Sequence, residues 1–148
     1  MIDRSHIGRT FPAFQVRVEP FQLRLFAKAV GETRAEYLDE DAARAAGLRG
    51  LLAPPTFLFS LWLQDPVEFR MARELGLDLR RVLHGEQTFR YRAPVCGGDV
   101  VTVQETIRDV YDKKGGALEF VVSDVVARGA GGEPVAEAAC VTVVRNAA

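Results

Sequence analysis

Residues 56–63, Thr-Phe-Leu-Phe-Ser-Leu-Trp-Leu, are apolar nearly all round and follow directly on Pro54-Pro55. A helix with no polar face has to be buried on every side, so the rest of the chain must supply a surface that wraps it. The longest apolar run, residues 51–63, is broken by the two prolines and is too short to span a bilayer, so that surface is expected to be protein. A chain of 148 residues should bury roughly two-thirds of its extended surface, enough for one domain over 1–148 whose core needs no disulfide or metal staple.

The wrapping surface is legible in the second half. From His84 onward four segments, 84–92, 99–111, 117–128 and 134–145, are rich in Val, Thr, Phe and Tyr. Turn signals separate them: Pro94 with Gly97-Gly98, then Lys113-Lys114-Gly115-Gly116, then Gly129-Ala130-Gly131-Gly132. Short turns between successive long strands imply antiparallel pairing, and a short strand at 14–18 brings the expected count to about five. The first half reads as helical. Phe21, Leu25, Phe26, Ala29 and Val30 share one helical face over 21–30, residues 39–46 make a short helix stopped by Gly47, and 67–75 is an amphipathic surface helix or flap. The fold class is therefore α+β, an antiparallel sheet curled round one buried apolar helix. Such a sheet has exposed edges, and 117–128 carries few edge-blocking devices, so a dimer joined edge to edge or through the helix side is expected.

Charge narrows the partners. With 19 basic against 20 acidic side chains, the chain lacks the one-sign field that nucleic acid or a polybasic membrane contact would need. Residues 1–6 contain no apolar signal core, so a cytoplasmic location is the expectation. Cys96 and Cys140 are far apart in sequence and only two His are present, His6 and His84, too few ligands for a zinc cluster; the cysteines read as ordinary reduced thiols.

Six pieces of sequence, in order, carry a family likeness: Ile7-Gly8-Arg9-Thr10-Phe11, Phe26-Ala27-Lys28-Ala29-Val30-Gly31, residues 37–47 from Tyr-Leu-Asp-Glu-Asp to Gly, Ala53-Pro54-Pro55-Thr56-Phe57, His84-Gly85-Glu86-Gln87-Thr88-Phe89, and Pro94 with Gly98-Asp99. Together they resemble the N-terminal type of MaoC-like dehydratase domain, a hot-dog fold related to the (R)-specific enoyl-thioester hydratases. The resemblance spans nearly the whole chain. It implies chemistry on acyl thioesters of coenzyme A or acyl carrier protein, adding water to a trans-2-enoyl group or removing it from a 3-hydroxyacyl group, with no cofactor and no metal.

In catalytic relatives a loop after the first helix reads Gly-Asp-x-Asn-Pro-x-His, whose carboxylate and imidazole hold the water. Here residues 31–37 read Gly-Glu-Thr-Arg-Ala-Glu-Tyr, placing Glu32 at the Asp position and Tyr37 at the His position. Tyr is a poor proton shuttle at neutral pH, so the dyad is effectively lost. Proline has no N–H, so any enolate donor at the apolar helix must come from Thr56 or beyond. The same three residues, Glu32, Arg34 and Glu36, are also what a solvated loop shows, and Tyr37 what a packing residue shows.

The remaining candidates carry paired readings too. His84 either touches substrate or water near a domain interface, with Glu86 orienting it, or is a strand-start histidine bonded to a backbone carbonyl. Phe57, Phe59, Leu61, Trp62 and Leu63 either line an acyl tunnel or fill the core. Arg90 and Arg92, on one face of a strand and close to Arg80 and Arg81, either meet the phosphates of a pantetheine-bearing carrier or belong to a solvated surface. Two functions follow. One is a homodimeric hydratase or dehydratase in which Glu32 and His84 replace the dyad. The other is a non-catalytic acyl-binding subunit that pairs, as a heterodimer, with a MaoC-like chain carrying the intact loop.

Overall fold

The computed structural model describes residues 1–146, and its strands form where side chains alternate between core and solvent. Five strands, β1 (Phe14–Arg17), β2 (Val82–Tyr91), β3 (Val100–Lys113), β4 (Leu118–Arg128) and β5 (Pro134–Arg145), make one antiparallel sheet in the order β1-β3-β4-β5-β2. Four helices precede β2: α1 (Pro20–Ala29), α2 (Glu40–Ala45), α3 (Phe57–Trp62) and α4 (Arg70–Glu74). The α+β class with an antiparallel sheet packed on the apolar helix is the one expected.

Topology departs from the sequence expectation at the first turn signal. Pro94 and Gly97-Gly98 do not close a hairpin, since β2 pairs with β5 and β3 pairs with β1 and β4. The connection is held elsewhere by its own backbone. Gly97 N–H donates to Leu51 C=O, Gly98 N–H to Val18 C=O and Val18 N–H to Asp99 C=O, each at 2.8 Å, while Arg49 pairs with Asp99 at 2.7 Å. With those groups satisfied by the 49–53 loop and the end of β1, the segment crosses to the other side of the sheet. A second correction follows. β4 lies between β3 and β5, so 117–128 is the middle of the sheet, and the edges are the four-residue β1 and the ten-residue β2.

The apolar helix is shorter than expected and is not buried on every side. Phe57, Leu58 and Leu61 are buried against Val101, Val103, Val125, Ala136 and Ala138 of the concave sheet face, whereas Phe59 and Trp62 are half-buried and Leu63, just past the helix, is 58% exposed. One sheet face can cover only one side of a helix. In α1 the face that packs is also not the one the periodicity picked out: Leu23 and Ala27, an i, i+4 pair, are fully buried, while Phe21, Leu25 and Val30 face outward. Phe26 lies between the two and meets the Phe57 ring edge-on at 5.3 Å. The 67–75 helix contracts to α4, which buries Met71 and Ala72. Among the described residues no helix is long and apolar enough to cross a membrane, and both cysteines are free and buried.

A bulge in β2 decides which side chains face the core. His84 stands opposite Thr142 and Glu86 opposite Val141, leaving Gly85 as the extra residue. Thr142 belongs to the concave row and Val141 to the convex one, so the bulge turns His84 toward α3 and Glu86 away from it. Glu86 therefore does not orient the imidazole, and no hydrogen bond joins them among the described residues. Gly85 has no room for a side chain: a Cβ there would stand 2.8 Å from Val143 Cγ2 and 2.9 Å from the Val141 carbonyl oxygen. Gly85→Ala is accordingly expected to destabilise the fold by about 1–3 kcal/mol in urea titration, whereas Glu86→Ala on the open face should change it by less than about 0.5 kcal/mol.

Candidate functional site

The loop that follows α1 is set by a left-handed Gly31 (φ 74°), which lets Glu32 N–H donate back to Ala27 C=O at 2.9 Å and turns the chain sharply off the helix. Glu32 then closes on its own loop. Its carboxylate accepts from the backbone N–H of Thr33 (2.9 Å) and Arg34 (3.0 Å) and from Arg34 Nε (3.2 Å) and Nη2 (2.9 Å). The Arg34 guanidinium, first among these, brings the Glu32 carboxyl down to about 2. Arg34 also lies over the Tyr37 ring at 4.6 Å, and Tyr37 is only 4% exposed. A carboxylate held this way is a counter-ion and a buried phenol is a wall.

Tyr37 forms part of a cavity of about 350 Å³ whose other walls include Pro54, Pro55, Leu58, Leu61 and Tyr91. Its lining is almost wholly apolar, the character of a pocket for a chain or ring rather than for ions. Thr56 stands exposed at the start of α3, and its side chain makes no capping bond. Phe57 is core. It is 3% exposed and packs against Phe26 rather than lining the cavity.

His84 belongs to a different space. A second cavity, about 470 Å³, lies on the other flank of α3 between Phe59, Trp62, Phe69, Leu83, His84 and Glu105, and it shares no wall residue with the first. The imidazole meets the Phe59 ring at 5.1 Å, edge to face. At one side Asp65 and Arg70 form a bidentate pair at 2.7 and 2.8 Å. The structure thus brings Glu32 and Tyr37 together but sets His84 apart from both.

Glu105 is the residue that sequence reasoning missed. It occupies a core-facing position in the alternation Val101, Val103, Glu105, Ile107, and that acidic break in a buried row was the available signal. At 7% exposure it is nearly desolvated, and burial pushes its carboxyl up to about 7 despite the Ser123 hydroxyl and Trp62 indole beside it. Glu105 Oε1 and Ser123 Oγ are buried without a hydrogen-bond partner among the described residues. Cys140 faces the same cavity, and burial raises its thiol, which disfavours a thiolate.

Arg90 and Arg92 lie on the convex side of β2, as their alternation implied. Arg92 is paired with Glu137 at 3.1 Å and reaches the rim of the Tyr37 cavity, while Arg90 stands opposite Glu137 in a groove beside the Arg108–Asp124 pair. The rest of the basic cluster is engaged, Arg80 by Asp78 at 2.8 Å and Arg81 by the Arg145 carbonyl at 2.7 Å.

A five-stranded antiparallel sheet packed on a short apolar helix, with a loop after the first helix walling an apolar cavity, defines a MaoC-like hot-dog domain. Residues 5–138 match the family model described as FAS1-like, dehydratase domain region, and the chain belongs to that family. It is 42% identical over 127 residues to a UPF0336 protein of Streptomyces griseus, an alignment covering 84% of this chain and 83% of that protein. Among solved structures it resembles a chain of the C-terminally truncated HadBC (3R-hydroxyacyl-ACP dehydratase) complex of Mycobacterium tuberculosis, at 27% identity and a TM-score of 0.79 over 93% of this chain and 96% of that one. A MaoC-like dehydratase superposes with a TM-score of 0.85 at 20% identity, covering 97% of this chain and 43% of that one, a likeness of fold.

The Glu105 environment makes stability depend on pH in a direction opposite to that of most carboxylates. Its folded-state value of about 7 lies above the ordinary 4.5, so its contribution is complete below that ordinary value and is lost as pH rises through about 7. Unfolding free energy should fall by something on the order of 2 kcal/mol between about pH 5.5 and about pH 8.5, and Glu105→Gln should flatten that slope in parallel urea titrations.

Proposed function

We propose that this chain is the acyl-binding, non-catalytic half of a MaoC-like hydratase or dehydratase acting on trans-2-enoyl or 3-hydroxyacyl thioesters of coenzyme A or acyl carrier protein. The observation that carries this reading is the state of the loop. At the two positions where catalytic relatives place Asp and His, Glu32 is consumed by Arg34 and Tyr37 is buried beneath it. Proton abstraction needs a base that takes up a proton near the working pH, and a carboxylate locked to its own arginine does not supply one. The likeness to a chain from the HadBC complex supports a two-chain assembly, in which the other chain would bring the Asp and His.

In that assembly residues 1–148 act as one hot-dog unit. The long edge strand β2 is the natural place for the partner, because its unpaired backbone groups would extend the sheet across both chains while the short β1 offers little. The apolar cavity beside Tyr37, Pro54 and Leu58 would hold the acyl group. Arg90 and Arg92, near the same edge, would meet the carrier phosphates. A location in the cytoplasm fits this role.

The isolated chain should hydrate crotonyl-CoA feebly or not at all, measured by loss of enoyl absorbance, and gain activity on addition of a MaoC-like chain with an intact loop, since a missing acid or base alone is worth roughly 10²–10⁴ in rate. Rapid turnover by the isolated chain, abolished by Glu32→Gln, would overturn the partner reading. The combined substitution Glu32→Asp, Arg34→Asn, Ala35→Pro and Tyr37→His should confer measurable hydration on the isolated chain, provided its circular dichroism and melting remain those of the parent. Unchanged inactivity in a folded variant would show that the loop is not what the chain lacks.

A further inference from the structure

Four exposed apolar side chains surround one opening. Leu63, Phe69, Leu79 and Leu83, each close to half exposed, all line the cavity between α3, α4 and the Val82 end of β2. Around them Glu68 and the Asp65–Arg70 pair supply a polar rim. A contiguous apolar patch with such a rim marks a place of contact with another molecule. Phe69 adds a second sign. It stands at the start of α4 in the left-handed region, φ 50° and ψ 42°, a strained backbone for a bulky residue, and at half exposure its ring packs too little within the fold to offset that strain.

A partner at β2 needs more surface than the strand edge holds. The open edge of a ten-residue strand is about 33 Å long, and with a sheet about 10 Å thick it offers about 330 Å², less than half of the roughly 800 Å² per chain that a stable interface buries. The remainder has to come from beside the strand. On the convex side Glu86, Arg90 and Arg92 are charged, so the apolar flank around Phe69 is the one that can supply it. Two chains of one fold joined through the same strand are related by a two-fold axis, which runs their β2 strands antiparallel. The Val82 end of this chain then meets the far end of the partner's strand. In this fold that far end, at Tyr91, walls the same cavity as Tyr37 of the loop after α1. Resting on the two-chain reading above, we propose that Leu63, Phe69, Leu79 and Leu83 are the docking surface for the catalytic MaoC-like chain and that they border its intact Gly-Asp-x-Asn-Pro-x-His loop in the assembly.

Asn accepts a left-handed backbone more readily than Phe, so Phe69→Asn removes the ring without straining the start of α4, and Leu83→Thr keeps a strand-forming residue. The double variant should retain the circular dichroism and melting of the parent. Mixed with the MaoC-like chain that restores crotonyl-CoA hydration, the full-length protein should form a one-to-one complex in sedimentation, and the double variant should bind that chain at least about thirtyfold more weakly. Half-maximal hydration should need correspondingly more of it. Phe21→Gln with Leu25→Gln, on the outward face of α1, removes side chains that are no less exposed but lie outside the cavity, and should leave the affinity unchanged. Should the double variant melt below the parent, Phe69→Asn alone carries the test and should weaken binding at least about fivefold. A complex and a restored hydration that the folded variant leaves unaltered overturn this surface while the two-chain reading stands, as does loss of the complex in the α1 variant alone. If the wild-type chain neither binds nor activates the MaoC-like chain, the two-chain reading itself fails and the surface with it. If the double variant only lowers the mass of the isolated chain toward that of the monomer and binds the MaoC-like chain as before, the surface belongs to a second copy and the proposal is overturned.

Discussion

Helix α3 seats Phe57, Leu58 and Leu61 in the concave face of the sheet, and the six residues of that helix cannot turn a second apolar face into the same surface. The asymmetry organises the molecule. Leu58 and Leu61 close one cavity from above, Phe59 and Trp62 close the other, and the sheet beneath supplies both floors. Full burial of the helix would have removed about 1.5–3 kcal/mol worth of exposed apolar surface per large side chain, so leaving one flank half-open keeps two binding-sized spaces at a real cost in stability. Pro54-Pro55 limits the helix on one side and the turn after Leu63 on the other. A longer helix of the same composition would have filled the spaces it now borders.

Two carboxylates show how differently this frame treats the same chemistry. Glu32 sits in a solvated loop, surrounded by an arginine and two backbone N–H groups, and is held at about 2. Glu105 sits in the core row of β3 and is pushed up to about 7. Acid–base enzymes often drive two titrating groups apart in this way, but they do so within reach of one substrate. Here Glu105 walls the cavity on the His84 flank of α3 while Glu32 is held in the loop after α1 and lines neither cavity, so their separation in acidity does not place the two beside one substrate. The loop takes its shape from the left-handed Gly31 and from the stack of Arg34 on Tyr37.

Strands and helices were readable in this chain because alternation and turn residues act locally. Segments 118–128 and 134–145 stand within a residue of where Val, Thr and the glycine clusters place them. The crossing after β2 was not readable, since Gly97 and Gly98 satisfy their N–H groups through Leu51 and Val18, partners far off in sequence. The packing face of α1 was obscured because two of its faces are apolar, and only the close approach allowed by Ala27 selects one. In the site, Glu32 and Tyr37 were legible through the family loop. His84 was legible as a residue, but the bulge at Gly85 that parts it from Glu86 is a matter of cross-strand crowding, which no pattern within one strand expresses.

Glu105 presents the opposite case, a residue whose place was readable and whose meaning was not. An apolar side chain in that row would remove the desolvation of a carboxyl and an orphaned oxygen, each of which costs about 1–3 kcal/mol when left unsatisfied. With the Ser123 hydroxyl and the Trp62 indole beside it and the Asp65–Arg70 pair on the wall of the same cavity, the carboxyl keeps its proton up to about neutral pH, so the cost it imposes on the fold is smallest in acid and grows as the pH rises toward about 7.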